Sequence, residues 1–346
     1  MGEKDTMKRS KTTLTTIFAL VAILASISVL ASAQTYTRFD ALPNGTFPSE
    51  IDSSGRIVGT AVQTGQSGKV FVRNTDGSII VTGAPNSDWV GFSGTNGIVG
   101  RYQDSAYVEH GFLGPIAGPF SSFDVPGATG TYPAHANSAG QIVGFWTASG
   151  NVLHGFLRNV NGSITKFDVP GAATTQPESI NASGQTAGLE TDSSGVLHGF
   201  IGVPGGPFTI YNFPSGTVYA SANMNDIGQV AGYYADKNFN SHGYLRDTNG
   251  TFTTLNLPGQ VSAGDINLGG FIVGVFGGKY SGRKDGFLRR PDGTTVTLEF
   301  PGANMINSTT RAIDINQAGV IMGNYEITTS SGGDTVWHGF VVTGVH

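Results

Sequence analysis

Residues 163–200 read SITKFDVPGAATTQPESINASGQTAGLETDSSGVLHGF, and the fold follows from this stretch. A β-branched and aromatic run stops at Pro170, and a second short run, PESI, ends at Ile180. Asn181-Ala-Ser-Gly184 then has Asn first and Gly fourth in a type I turn, where the Asn side chain can bond its own backbone. QTAGLE follows as a strand, Asp192-Ser-Ser-Gly195 as another turn, and VLHGF as a further strand. Four short antiparallel strands fill one unit, and nothing in it reads as helix.

The unit recurs. The Gly that closes its Asn-x-x-Gly turn falls at 55, 97, 140, 184, 228, 270 and 319, at spacings of 42 to 49 residues. The aromatic of a His-Gly-Phe element falls at Phe71, Phe112, Phe156, Phe200, Tyr244, Phe287 and Phe340. The Pro of a Phe-Asp-Val-Pro element falls at 43, 85, 126, 170, 214, 258 and 301. Three markers each count seven. Four strands per ~44 residues, repeated seven times, predict an all-β, seven-bladed β-propeller of four-stranded antiparallel blades. The strands are too short for a membrane barrel, which needs ~9–11 residues in each, and a solenoid coil would lack four hairpin-type turns per period. With the strand entering the Asn turn innermost and the Phe-Asp-Val-Pro strand outermost, the last blade lacks only its outer strand. Residues 36–42 supply it and close the ring. Read as a two-residue turn, Asn161-Gly162 places Phe156 opposite Phe167 and Gly155 opposite Asp168.

Composition agrees with this reading. Gly is 52 of 346 residues and charged residues are 12%. An average chain has ~7% Gly and ~25% charge, so helices and charged tails are disfavoured. The 38% of hydrophobic and 10% of aromatic residues can still bury a large core. Lys8, Arg9 and Lys11 precede an apolar run from Leu14 to Leu30 that ends in Ala31-Ser-Ala33, the pattern of a cleaved secretory signal peptide. Residues 1–33 are read as that signal and residues 34–346 as one propeller domain, secreted to the periplasm or the exterior. The leader holds four basic and two acidic residues, so a net charge of −5 becomes −7 without it. That sign disfavours nucleic acid and anionic membrane surfaces as partners, and a soluble monomer is expected. The chain has no Cys, so after export its stability must come from packing or ring closure rather than disulfides.

The units resemble the bacterial extracellular HAF repeat, named for a His-Ala-Phe tripeptide. The resemblance rests on His154-Gly-Phe-Leu-Arg158, Phe167-Asp-Val-Pro-Gly-Ala172 and Ile180-Asn-Ala-Ser-Gly184 with their counterparts, and covers Thr35 to His346. It departs in carrying Gly for Ala in all five copies that keep the His. The resemblance implies an exported, propeller-like chain and carries no activity over.

The histidines at 110, 154, 198, 242 and 338 occupy one place in five different units. A ring spreads them apart, so they are expected to be structural. Two residues before each turn Asn, the seven units instead carry Glu50, Phe92, His135, Ser179, Asn223, Asp265 and Asp314, beside apolar neighbours such as Ile51 and Ile180. These varied positions are expected to face the axis. Glu50, Asp265 and Asp314 are the candidate metal ligands, suited through their oxygens to Ca²⁺ in the central channel, and no other cofactor is expected. His135 and Asn223 are candidate binding residues in the same channel. A second set, Arg311, Glu326, Asp334 and Trp337, lies on or near two unusually long loops that leave one face together. No Gly-x-Ser-x-Gly elbow, phosphate-cradling loop, HExxH or Cys nucleophile occurs. The residues therefore predict a scaffold that binds a ligand or partner, carbohydrate or another cell-surface polymer. A hydrolase or lyase with an axial divalent metal and a structural surface protein are the alternatives.

Overall fold

The structure, a computed structural model, describes residues 34–63, 68–84, 87–279, 282–301, 308–328 and 335–344. These residues form short β-strands, with no helix among them. The Asn turns explain why the strands end where they do. In the fourth unit the Gly184 N–H donates to Asn181 O (3.0 Å), and the Asn181 side chain accepts from the Gln185 N–H (2.9 Å). Gly184 sits at φ +81°, the left-handed region that glycine reaches without steric cost.

Each sheet repeats one order. Ala172–Ile180, Thr186–Asp192, Leu197–Gly202 and Phe208–Asn212 pair antiparallel in sequence order. The strand entering the Asn turn stands at one edge and the Phe-Asp-Val-Pro strand at the other. Gly130–Phe167 and Gln260–Leu298 build the same four-stranded sheet. One sheet has eight strands because the first and last units are joined in the ladder by a single parallel residue pair, Gly45 with Trp337. Within it, Thr35–Phe39 pairs antiparallel with Thr335–Thr343, so the N-terminal strand takes the outer place of the last unit.

The register expected around Asn161-Gly162 is corrected by one residue. Phe156 lies opposite Lys166, and Gly155 lies opposite Phe167. The turn is longer than two residues: the Asn159 N–H donates to Ser163 O, and the Gly162 N–H donates to Asn159 O. This is a type I turn with a G1-type bulge, so Asn-Gly occupies its third and fourth positions. The slip explains why glycine stands before the buried aromatic. A methyl group on Gly155 would stand 2.9 Å from the Phe167 ring, and one on Gly339 would stand 2.5 Å from the Phe39 ring. The ring of the outer strand lies on the bare glycine.

The aromatic after that glycine builds the core. Phe71, Phe112, Phe156, Phe200, Tyr244, Phe287 and Phe340 are among the largest fully buried side chains. Burying each contributes ~1.5–3 kcal/mol. The clusters lie between neighbouring sheets, as where Val273, Leu288 and Leu298 of the sixth unit meet Ala312, Ile315 and Phe340 of the last. The repeated histidines are tied to the outer strands: His110 to Asp124 (2.9 Å), His154 to Asp168 (3.0 Å), and His338 to Asp40 (2.6 Å). The last of these pairs joins the two ends of the described chain.

Candidate functional site

The varied positions are turned inward by a bulge. In the strands that enter the Asn turns, the register shifts between Pro48 and Glu50, Pro133 and His135, Ala263 and Asp265, and Ala312 and Asp314. A bulge re-aims the side chain that follows it. The aimed residues then meet the backbone of the next unit. Glu50 accepts from the Phe92 N–H (3.1 Å), His135 Nδ1 accepts from the Ile180 N–H (3.3 Å), and Asp314 accepts from the Ile51 N–H (2.8 Å). Ser179 donates to Ala222 O (3.0 Å) and Asn223 to Gly264 O (2.6 Å). The turn asparagines form a second tier, which sequence reading took only as turn formers. Asn137, Asn225, Asn267 and Asn316 donate to the carbonyls of Asn181, Asn267, Asn316 and Asp52, at 2.9–3.2 Å. In the first unit Asp52 has no amide to donate, and Arg56 reaches across to Thr95 O instead (2.6 Å).

Inside these tiers lies a cavity of about 450 Å³ that opens among the Asn turns and takes residues from all seven units. Five carboxyl groups line it, Glu50, Asp52, Asp226, Asp265 and Asp314, with His135 and a single guanidinium, Arg56. Arg56 is paired with Asp52 (2.7 Å). Burial pushes Glu50 up to about 8, partly offset by the Phe92 N–H. Asp314 is raised well above the ordinary range by burial, then by Asp265 and Glu50 beside it. Burial lowers His135. At neutral pH burial therefore favours the protonated form of Glu50 and Asp314 and the neutral form of His135.

Each candidate residue now has a place. Glu50, Asp265, Asp314 and His135 line the cavity together, whereas Asn223 bonds to its neighbouring strand and does not line it. One oxygen of Glu50 and both of Asp314 receive backbone N–H groups, and no group of three or more His, Asp or Glu among the described residues is arranged to hold a metal ion. The loop-side set also assembles. The Arg311 guanidinium lies 4.6 Å from the centre of the Trp337 ring, and Glu326 is paired in register with Trp337. Asp334 lies outside the described residues. Phe47, which repeat counting passed over, completes this cluster at 6.2 Å from Trp337. Asp226 and Arg56 were likewise missed; for Arg56 the signal was the Asp that opens its turn in place of Asn.

No protein-family model matches the chain, and no curated protein does. Solved structures do. The propeller domain of the Trilobed protease from Pyrococcus furiosus is similar with a TM-score of 0.57 at 11% identity, over 86% of this chain and 95% of that one. A prolyl endopeptidase gives 0.55 at 10% identity over 90% of this chain, and a puromycin hydrolase gives 0.52 at 12% over 86%. The chain spans about half the length of each of these two enzymes. At such identities the likeness shows the fold alone, and that fold is the β-propeller.

Proposed function

We propose that the chain is an exported, seven-bladed repeat propeller of the HAF-like kind, closed by its N-terminal strand, that binds a small positively charged ligand in its axial cavity. The observation that carries this reading is the excess of carboxyl groups over cationic side chains in the cavity. Once Asp52 is paired with Arg56, four carboxyl groups share the space with no cationic side chain. Closure is supported by the bonds that run from the last unit to the first: Asn316 to Asp52, Ile51 to Asp314, and the Asp40–His338 pair. The scaffold positions repeat while the cavity positions vary from unit to unit, with Glu50, Phe92, His135 and two aspartates at one place, as expected where the ring is generic and the site specific.

An entering cation favours the ionised carboxyls, so binding releases protons and strengthens as pH rises through about 8, the value of Glu50. The test uses spermidine and agmatine as probes, read by thermal shift and calorimetry in two buffers of different ionisation enthalpy. The reading requires binding with proton release that is lost in Ala182→Trp, where a bulky ring overhangs the mouth from an exposed turn position. Absence of any cation effect, or an equal effect in Ala182→Trp, overturns it.

A further inference from the structure

A second cavity lies on the opposite side of the sheets, where the hairpins between second and third strands emerge. It measures about 160 Å³ and sits between the fifth and sixth units, lined by Phe239, Ser241, Ser262, Phe276, Lys279 and Lys284, among others. Its charge runs against that of the chain. Residues 34–346 hold five lysines, and two of them, Lys279 and Lys284, line this groove. The nearby carboxylates are engaged elsewhere: Arg283 pairs with both Asp285 and Glu299, and Asp236 is held by the backbone of its own turn. Lys279 is fixed at the rim by Asn238 O and Asn240 Oδ1, and Asn240 Oδ1 also receives Gln260 Nε2 (3.2 Å).

Phe239 makes the groove more than a basic patch. It occupies the left-handed position of its hairpin turn, φ +59°, and its ring is 68% exposed. The matching position of the fourth unit is Gly195, at φ +80°. A bulky side chain there costs ~1–2 kcal/mol and, at 68% exposure, recovers little of it by burial. An exposed flat ring beside two ammonium groups and two serine hydroxyls matches a ligand with an apolar face, hydroxyl groups and a negative charge.

We propose that this groove is a subsite for an acidic saccharide, a uronate-type ring whose C–H face lies on Phe239 and whose carboxylate is held by Lys279 and Lys284. The size suits one sugar ring at the groove, with the rest of the polymer running across the hairpin side. This site is separate from the axial cavity, and its failure would leave the cation reading untouched.

The full chain is titrated with oligogalacturonate, using a neutral dextran oligomer as control. Binding is expected for the acidic oligomer alone, and it should weaken as salt rises above ~0.3 M. Phe239→Gly relieves the strained turn, so the fold survives, but affinity should drop about tenfold. Lys284→Gln should weaken binding severalfold. Tyr107→Gly is the control, since Tyr107 occupies the same turn position in the second unit (φ +63°) away from the lysines, and it should leave affinity unchanged. Equal binding of dextran, full affinity in Phe239→Gly, equal loss in Tyr107→Gly, or binding only to vesicles of anionic lipid would each overturn the proposal.

Discussion

The two sides of the sheets are built by different rules. On the Asn-turn side, side chains of one unit are bonded to the backbone of the next, through Asn137, Asn225, Asn267 and Asn316 and again through Glu50, His135 and Asp314. The acidic cavity opens there. On the hairpin side the turn tips carry Tyr107, Asn151, Gly195 and Phe239 at one position, and unit-to-unit bonds such as those of Lys279 and Gln260 to Asn238 and Asn240 are particular to one pair of units. One side repeats its bonds between units and the other varies. A residue's repetition therefore reports on the seam, and its variation reports on what a unit presents to a ligand.

Breaking the seam should have the largest effect. Asn137 is 5% exposed, and its side chain bonds both its own turn and the next unit. Asn137→Ala should cost ~2–4 kcal/mol, a drop of ~5–10 °C in melting temperature. On the hairpin side Glu326→Gln should change the melt by less than ~0.5 kcal/mol. Equal losses at the two positions would erase the distinction.

The next effect is set by pH. Glu50 and Glu178 are both raised by burial to about 8. The folded chain then holds protons that the unfolded chain would release, so their contribution to stability is full below ~4.5 and is lost as pH rises through about 8. Depressed carboxylates such as Asp236, at about 2, act in the other direction and lose their contribution only in strong acid. Melting should therefore be highest in mildly acidic buffer and fall by ~5 °C or more towards pH 9. Glu50→Gln should flatten that fall, which a melting series across pH would show. A profile that rises towards alkaline pH contradicts the buried cavity floor.

A smaller effect marks the hairpin side. Phe239→Gly should stabilise the chain by up to ~1 kcal/mol, because the left-handed turn position no longer carries a side chain. Chemical denaturation resolves a change of that size, and a loss of stability would mean that the exposed ring is packed after all. The smallest expected effect is that of a chelator. The oxygens of Glu50 and Asp314 are already turned to backbone N–H groups, so EDTA should leave the melt unchanged.

Much of this was legible in the sequence because it repeats. Turn asparagines, buried aromatics and the N-terminal outer strand all follow from markers that recur at fixed spacing. The register around Gly155 was not legible, because Asn-Gly serves both a two-residue turn and the end of a longer bulged one. Nor was the long reach of the Asn side chains, since a motif that closes its own turn gives no sign of a second bond to the next unit. Glu50, Asp265, Asp314 and His135 were found as the exceptions within a repeat, and so were Arg311, Glu326 and Trp337. Phe239 escaped because it lies on a hairpin whose length is ordinary and whose anomaly is a backbone angle, and the lysines because they lie on the hairpin of the next unit.

The most direct test of the account is the spermidine titration of the full chain by calorimetry at pH 6.5 and pH 8.5. The account predicts one saturable site, tighter at the higher pH, with protons released on binding and with the heat abolished in Ala182→Trp. A titration without heat at either pH, or one that Ala182→Trp leaves intact, would contradict the assignment of the axial cavity as the binding site.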